Sequence, residues 1–317
     1  MLNVAILDDY QNSALEMANW DNLSVKAKIT VFNDHIHDRE VLIKRLRKFQ
    51  VICAMRERTP FPKELLESLP KLKLLVTTGM RNASIDIEAA SELGITVSGT
   101  EGLPYPTAEL TWALILVLAR NITVEHQSVK EGIWQKEVGV GLKGKTLGII
   151  GLGNLGSQVA KYGNAFGMEV IAWSQNLTSD LAKEKGAKYV SLDTLMSESD
   201  FVSIHTVLSP RTKGLIDGSK LNLMKKTSYL VNTSRGPIVD EHALIKILED
   251  KEIAGAGLDV FDLEPMESDH PLVLSDRTVI TPHIGYVTRE TYKIFFEQSL
   301  ECVSEFLSET PVRIINS

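Results

Sequence analysis

The chain reads as an α/β protein made of two doubly wound parallel-sheet domains. Three features point that way. Short apolar runs alternate with amphipathic stretches from Val4 to Gly99, and the alternation restarts between Lys145 and Ile280. A segment dense in helix and strand breakers separates the two series, and the second series opens on a glycine-rich turn between a strand and a helix. The 317 residues allow about two domains at roughly 150 residues each, and a content of 44% hydrophobic and 24% charged residues is ordinary globular usage.

Taken in order, Val4–Leu7, Val51–Ala54 and Leu74–Thr77 predict buried strands. Between them Leu42, Leu46 and Phe49 follow helical spacing, and Leu65, Leu66 and Leu69 predict a helix that Pro70 ends. The run Gly99-Thr100-Glu101-Gly102-Leu103-Pro104-Tyr105-Pro106 predicts the domain boundary. A helix from Thr107 to Arg120 follows, with Thr107 as its expected cap and Glu109 near its positive end. It is apolar nearly all round, which predicts burial on every side, either in the core or against a second subunit. Thr146–Ile150, Val170–Trp173, Phe201–Ile204, Tyr229–Asn232, Ala256–Val260 and Thr278–Ile280 then predict the six strands of a nucleotide-binding domain.

Composition excludes several functions. A net charge of −7 disfavours nucleic-acid and anionic-membrane surfaces. The two cysteines, Cys53 and Cys302, suit a reducing compartment, and no metal is expected. Met1 to Asp9 has neither the basic start nor the cleavage site of a signal peptide. The longest apolar run, Ala113 to Ala119, is far below the roughly 20 residues that span a bilayer. The expectation is a cytoplasmic protein with neither membrane nor nucleic acid as partner.

Gly151-Leu152-Gly153-Asn154-Leu155-Gly156 is a G-x-G-x-x-G that follows the strand Leu147–Ile150 directly and runs into a helix at Ser157. Its glycines permit a tight turn, close backbone approach to a pyrophosphate and close helix–strand packing, and the helix start supplies free N–H groups. About 20 residues on, a carboxylate should grip the adenosine ribose. Ser174 stands at that strand tip instead, followed by Gln175 and Asn176. An acid there would repel a 2′-phosphate, whereas Ser can hydrogen-bond it, yet no Arg or Lys follows directly. The sequence admits NAD or NADP and tilts slightly towards NADP.

Three further segments bear on chemistry. Arg235 lies just past the strand Tyr229–Asn232, Asp259, Asp262 and Glu264 lie at or beyond the next, and His283 follows the last. Each is ambiguous alone. Together they lie at the strand ends where open parallel sheets bind ligands.

With these motifs in order, the chain resembles the D-isomer-specific 2-hydroxyacid dehydrogenase family over essentially its whole length. The resemblance rests on the glycine loop, Ile204-His205-Thr206 with Pro210 and Thr212, Asn232 to Asp240, Gly257 to Pro265, and Thr281 to Gly285. It implies a Rossmann cofactor domain (residues 102–284) inserted into a flavodoxin-like substrate domain (1–101, completed by 285–317), and a homodimer. It implies an NAD(P)H-dependent D-2-hydroxyacid dehydrogenase working as a 2-oxo acid reductase, with Arg235, Glu264 and His283 as the catalytic set. Asp259 matches the acid that faces the nicotinamide, and Thr107, Gly153, Asn154, Leu155, His205, Thr206, Thr212, Thr233 and Ser234 match cofactor-lining positions.

Those residue types suit the reaction. A guanidinium pairs with a substrate carboxylate bidentately and keeps its charge. An imidazole can donate the proton needed as charge develops on the substrate oxygen, and a carboxylate on its far nitrogen favours the donor form. The loop Thr77 to Asp86 resembles the family's substrate loop, so Met80 and Arg81 are candidates to touch substrate. Arg81 replaces a glycine common there, and is either a cation for a second acidic group or a solvated residue paired with Glu88. Arg56 carries the same ambiguity, and Tyr286 either walls the pocket or is an ordinary core residue. The chain's length favours a glyoxylate/hydroxypyruvate-type reductase over a phosphoglycerate dehydrogenase with an added regulatory domain. The competing reading is a dinucleotide-sensing, corepressor-like regulator of the same fold, which the full Arg/Glu/His set disfavours.

Overall fold

The structure, a computed structural model, describes residues 1–316. The chain divides into two compact units, Met1–Leu103 with the segment from Val287, and Pro104–Tyr286.

The first unit holds β1 (Leu2–Ile6), β2 (Ala27–Val31), β3 (Val51–Ala54), β4 (Leu74–Thr77) and β5 (Thr96–Gly99). They form one parallel sheet in the order β2-β1-β3-β4-β5, with Val4 opposite Val51 and Leu74 opposite Thr96. This is the flavodoxin-like order. β3 and β4 are buried at every position, as expected of parallel strands covered on both faces. The helix Arg39–Leu46 buries Leu42 and Leu46, and Asp38 caps it by accepting from Val41 N–H at 2.9 Å. Phe49 lies beyond its end but is buried in the same core. The helix Lys63–Glu67 stops short of the expected Leu69. The helix Arg289–Leu307 and the tail complete this unit: Ile315 N–H donates to Val97 O and Gly99 N–H to Arg313 O.

The second unit holds β6 (Thr146–Ile150), β7 (Glu169–Trp173), β8 (Lys188–Tyr189), β9 (Phe201–Ile204), β10 (Tyr229–Asn232), β11 (Gly255–Leu258) and β12 (Thr278–Ile280). All pair in parallel, in the order β12-β11-β10-β9-β6-β7-β8. The chain leaves β6 for β7 on one side and later returns to β9 on the other, which makes β6/β9 the switch point where such sheets bind ligands. One apolar layer gathers Trp112, Leu114, Val159 and Ala160; the other gathers Leu195, Leu221, Leu244 and Ile247.

Several expectations change. β2, β5 and β8 lie outside the expected set, so the second sheet has seven strands rather than six, and β11 ends at Leu258 rather than Val260. β8 is two exposed residues and carries no apolar signal. The long helix runs from Pro106 to Arg120 with Tyr105, not Thr107, at its cap position; Pro106 occupies the first turn, where its missing N–H costs nothing. Within the single chain that helix is not buried all round by the core: Glu109, Ala113 and Arg120 are exposed. No single helix among the described residues is long and apolar enough to cross a membrane. No cluster of three or more metal-ligating side chains occurs among them, and Cys53 and Cys302 are buried free thiols.

Candidate active site

Each predicted site residue of the second unit except Thr107 follows the carboxyl end of a strand, so parallel pairing alone carries them to one sheet edge. Gly151 follows β6, Ser174 β7, His205 β9, Arg235 β10, Asp259 and Glu264 β11, and His283 β12.

The glycine loop turns on Gly151, whose φ of +98° is open to glycine and strained for other residues. A Cβ there would also lie 2.7 Å from the backbone of His205 and Thr206, so the glycine lets β6 and β9 close up at the switch point. The helix Asn154–Ala165 starts at Gly153 with no side-chain cap, and the N–H groups of Asn154, Leu155 and Gly156 find no backbone or side-chain acceptor among the described residues. Nothing lies within 4 Å of a Cβ built on Gly153. An open approach to uncapped N–H groups at a helix's positive end fits a pyrophosphate.

At the tip of β7 the Ser174 hydroxyl accepts from Leu152 N–H at 2.9 Å, while Gln175 and Asn176 are exposed. One residue there escapes sequence reasoning. Lys185, at the end of the helix Ser179–Glu184, reaches back and donates from Nζ to Leu152 O at 2.8 Å. Only proximity in the fold reveals it, since it lies far from the strand tip in sequence.

On the other side of the switch point, Ser234 Oγ donates to Thr206 O at 2.5 Å, tying the β10 loop to the β9 loop. Thr233 Oγ1 meets Thr111 Oγ1 at 2.7 Å, which anchors the β10 loop to the long helix. Thr212 Oγ1 donates to Val207 O at 2.6 Å and accepts from Ser209 N–H, so it shapes its own loop. His205 shares a hydrogen bond between Nε2 and Ser203 Oγ at 2.8 Å, and burial pushes its imidazole down to about 4, which leaves it neutral near pH 7.

The catalytic candidates meet through backbone contact. A Cβ on Gly236 would fall 2.1 Å from the carbonyl carbon of Phe261, so only glycine lets the loop bearing Arg235 lie against the loop bearing Glu264. Asn232 braces the first loop, accepting from Ser234 N–H and donating to Arg235 O. Arg235 NH1 donates to Ser234 O at 2.7 Å. Glu264 uses both oxygens: Oε1 accepts from Phe261 N–H at 2.9 Å, and Oε2 lies 2.5 Å from His283 Nδ1. The carboxylate is thereby fixed and sets the imidazole's orientation, leaving Nε2 for other partners. Tyr286 packs edge-on against the His283 ring.

Asp259, expected to face a nicotinamide, is fully buried and holds the His283 loop. Its oxygens accept from Thr281 Oγ1 at 2.6 Å and from the N–H groups of Ile284 and Gly285, both at 2.8 Å. Burial pushes its carboxyl above the ordinary range. These bonds straddle His283, whose φ is +52°. Thr107 lies beside the same turn, 3.1 Å from a Cβ built on Gly285.

In the first unit Met80 and Arg81 are exposed on the loop after β4, and Arg81 makes no hydrogen bond or ion pair among the described residues, with Glu88 or any other acid. Arg56 lies over Gly79, whose Cβ would meet its guanidinium, and donates to Thr78 O at 3.0 Å.

A parallel sheet with a phosphate-type loop at its switch point and a carboxylate-oriented imidazole beside an arginine defines a dinucleotide-linked oxidoreductase. The comparisons agree. Residues 112–285 match the family model described as "D-isomer specific 2-hydroxyacid dehydrogenase, NAD binding domain". A glyoxylate reductase of Aeropyrum pernix is 45% identical over 238 residues, covering 72% of this chain and 71% of that one. The phosphoglycerate oxidoreductase of Vibrio cholerae superposes with a TM-score of 0.92 at 35% identity, over 98% of this chain and 100% of that one. The D-lactate dehydrogenase of Aquifex aeolicus, solved with NAD and lactic acid, gives 0.81 at 29% identity over 99% of each chain. The chain belongs to the D-isomer-specific 2-hydroxyacid dehydrogenase family. It is an NAD(P)-dependent oxidoreductase of the CH–OH group of D-2-hydroxy acids, and nothing in the comparisons supports a non-enzymatic regulator.

Proposed function

We propose that this enzyme reduces a small 2-oxo acid of the glyoxylate or hydroxypyruvate type, with NADPH preferred over NADH, and that it does so in the cytoplasm as a homodimer. The observation that carries the reading is the Glu264–His283 contact at 2.5 Å, held against the Arg235 loop by the Gly236–Phe261 approach. The nicotinamide cofactor, when bound, supplies the hydride. Arg235 pairs its planar fork with the substrate carboxylate and so orients the neighbouring carbonyl. His283, with Nδ1 on Glu264, delivers a proton from Nε2 to the carbonyl oxygen as negative charge develops there; in the oxidising direction the same nitrogen takes the hydroxyl proton. The uncapped helix start at Asn154, Leu155 and Gly156 would hold the pyrophosphate, with Gly151, His205, Thr206, Thr212, Thr233 and Ser234 shaping the surrounding loops. Asp259 would act by positioning the His283 turn. Within the first unit, Met80 and Arg81 are the residues proposed to touch substrate.

The homodimer reading is supported by the segment after the helix Ile122–Lys130, where Trp134 is 78% and Val138 94% exposed. Large apolar side chains set out singly are normal, but a run of them marks an interaction surface. Light scattering should return twice the 35.1 kDa chain mass, and a monomer mass would refute the dimer. The functional test is loss of reduced-nicotinamide absorbance with glyoxylate, hydroxypyruvate, pyruvate and phenylpyruvate, each with NADH and with NADPH. Turnover of glyoxylate or hydroxypyruvate, faster with NADPH, is expected. Turnover confined to the bulkier acids, or faster with NADH, would overturn the substrate or cofactor assignment.

A further inference from the structure

The main chain of Leu152, inside the glycine loop, is gripped from both sides. Its N–H donates to Ser174 Oγ at 2.9 Å, and its carbonyl accepts from Lys185 Nζ at 2.8 Å. Strand β7 brings the first partner and the helix after it brings the second, so a hydroxyl and an ammonium flank a single residue of the loop. Leu152 itself is buried, which fixes the position of both partners.

This corner has donors to spare and no negative charge. Ser174 accepts from the loop, so its own O–H is free to donate. An ammonium carries three donors, and Lys185 spends one on Leu152 O. No carboxylate lies within ion-pair distance of Lys185 among the described residues; the acids on its helix, Asp180 and Glu184, are exposed and make no bridge to it. Gln175 and Asn176 add exposed amides beside Ser174. Among the described residues this half-buried cation has a main-chain carbonyl as its one partner, which leaves it undercompensated, and a dianion would complete it. The strand tip after β7 is where a dinucleotide's adenosine ribose is gripped, and there an acid would bind a free 2′-hydroxyl and repel a 2′-phosphate.

We propose that Lys185, together with Ser174, forms the subsite for the 2′-phosphate of NADP(H), so that Lys185 is the residue that sets cofactor choice. This rests on the NADPH preference put forward above. The subsite is assembled from β7 and from the end of the following helix rather than from the residues directly after the strand.

The test is calorimetric titration of the ligand-free, full-length protein with 2′,5′-ADP and, as reference, 5′-ADP, which lacks the 2′-phosphate. Wild type should bind 2′,5′-ADP at least about tenfold more tightly than 5′-ADP, the usual effect of a charge-assisted contact. Lys185→Gln keeps a donor for Leu152 O but has no charge, so it should lose most of that ratio; Lys185→Arg should keep it. Ser174→Asp should invert it. If wild type shows the preference and Lys185→Gln retains it, the assignment to Lys185 falls while the NADPH reading stands. If Lys185→Gln weakens both ligands equally, the residue is structural and the assignment also falls. If wild type binds 5′-ADP as well as 2′,5′-ADP, the NADPH reading itself fails.

Discussion

Replacing Asp259 with asparagine should both destabilise the second unit and disarm His283. Three donors converge on this buried carboxylate, from Thr281 at 2.6 Å and from Ile284 and Gly285 at 2.8 Å. Asparagine has the same outline, but one acceptor oxygen becomes an NH2 donor. Turned so that its oxygen still serves Thr281 and Ile284, the amide points that NH2 at Gly285 N–H and leaves two buried donors face to face. Each unsatisfied donor costs about 1–3 kcal/mol. Relief from burying a charge offsets part of this, because burial already holds the Asp259 carboxyl above its ordinary range. A net loss of about 2–3 kcal/mol follows, which for a unit of this size lowers Tm by roughly 5–10 °C. The same bonds straddle His283 at φ +52°, a conformation that costs a non-glycine residue about 1–3 kcal/mol and persists only while its surroundings enforce it. With the turn loosened, the imidazole relaxes away from Glu264, and kcat should fall about 100-fold, the lower end of what a positioned acid contributes. Thermal melting and absorbance-monitored turnover measure the two effects. A variant melting within about 1 °C of wild type and retaining a third or more of kcat would show that Asp259 does not hold the turn, since both fall far below the losses worked out here.

His283→Ala should lower kcat by about 100-fold or more while cofactor affinity, read by fluorescence titration, stays put; retention of more than about a tenth of kcat would remove His283 as the acid. Arg235→Lys keeps the charge but not the fork, so KM for the oxo acid should rise, and an unchanged KM would mean the carboxylate is held elsewhere. His205 makes stability pH-dependent. Its folded imidazole sits at about 4 against an ordinary 6.5, so the unfolded chain takes up the proton first as pH falls. The stability this group confers is whole above about pH 6.5 and is lost towards pH 4, up to roughly 3 kcal/mol. The drop in urea midpoint from about pH 7.5 to about pH 5 should therefore be smaller in His205→Gln than in wild type, because the amide keeps a partner for Ser203 and cannot titrate; equal losses in both proteins would contradict burial as the cause.

Features written in contiguous residues are legible from the order of the chain alone. The glycine loop, the buried strands Val51–Ala54 and Leu74–Thr77, and the placement of Arg235, Glu264 and His283 just past strand ends depend on local spacing and on the rule that parallel sheets bind ligands at one edge. Edge strands are harder. β5 contains the buried polar Ser98, which no apolar pattern flags, because its hydroxyl is satisfied by Val312 O from the C-terminal tail. Thr107 has the chemistry of a cap because threonine caps helices well, but Pro106 begins the helix one residue earlier.

The amino-acid order therefore settles the fold class, the family and the chemical types available at the sheet edge. It cannot say which side chains meet there. Gly236 against Phe261, Asp259 under the His283 turn, and Lys185 on Leu152 O are pairs 25 to 33 residues apart or drawn from different strands. Their meeting is decided by strand order and by the direction in which each loop leaves the sheet. Local propensity acts over a few residues, whereas hydrogen bonds across a sheet edge exist only once the long-range pairing has formed.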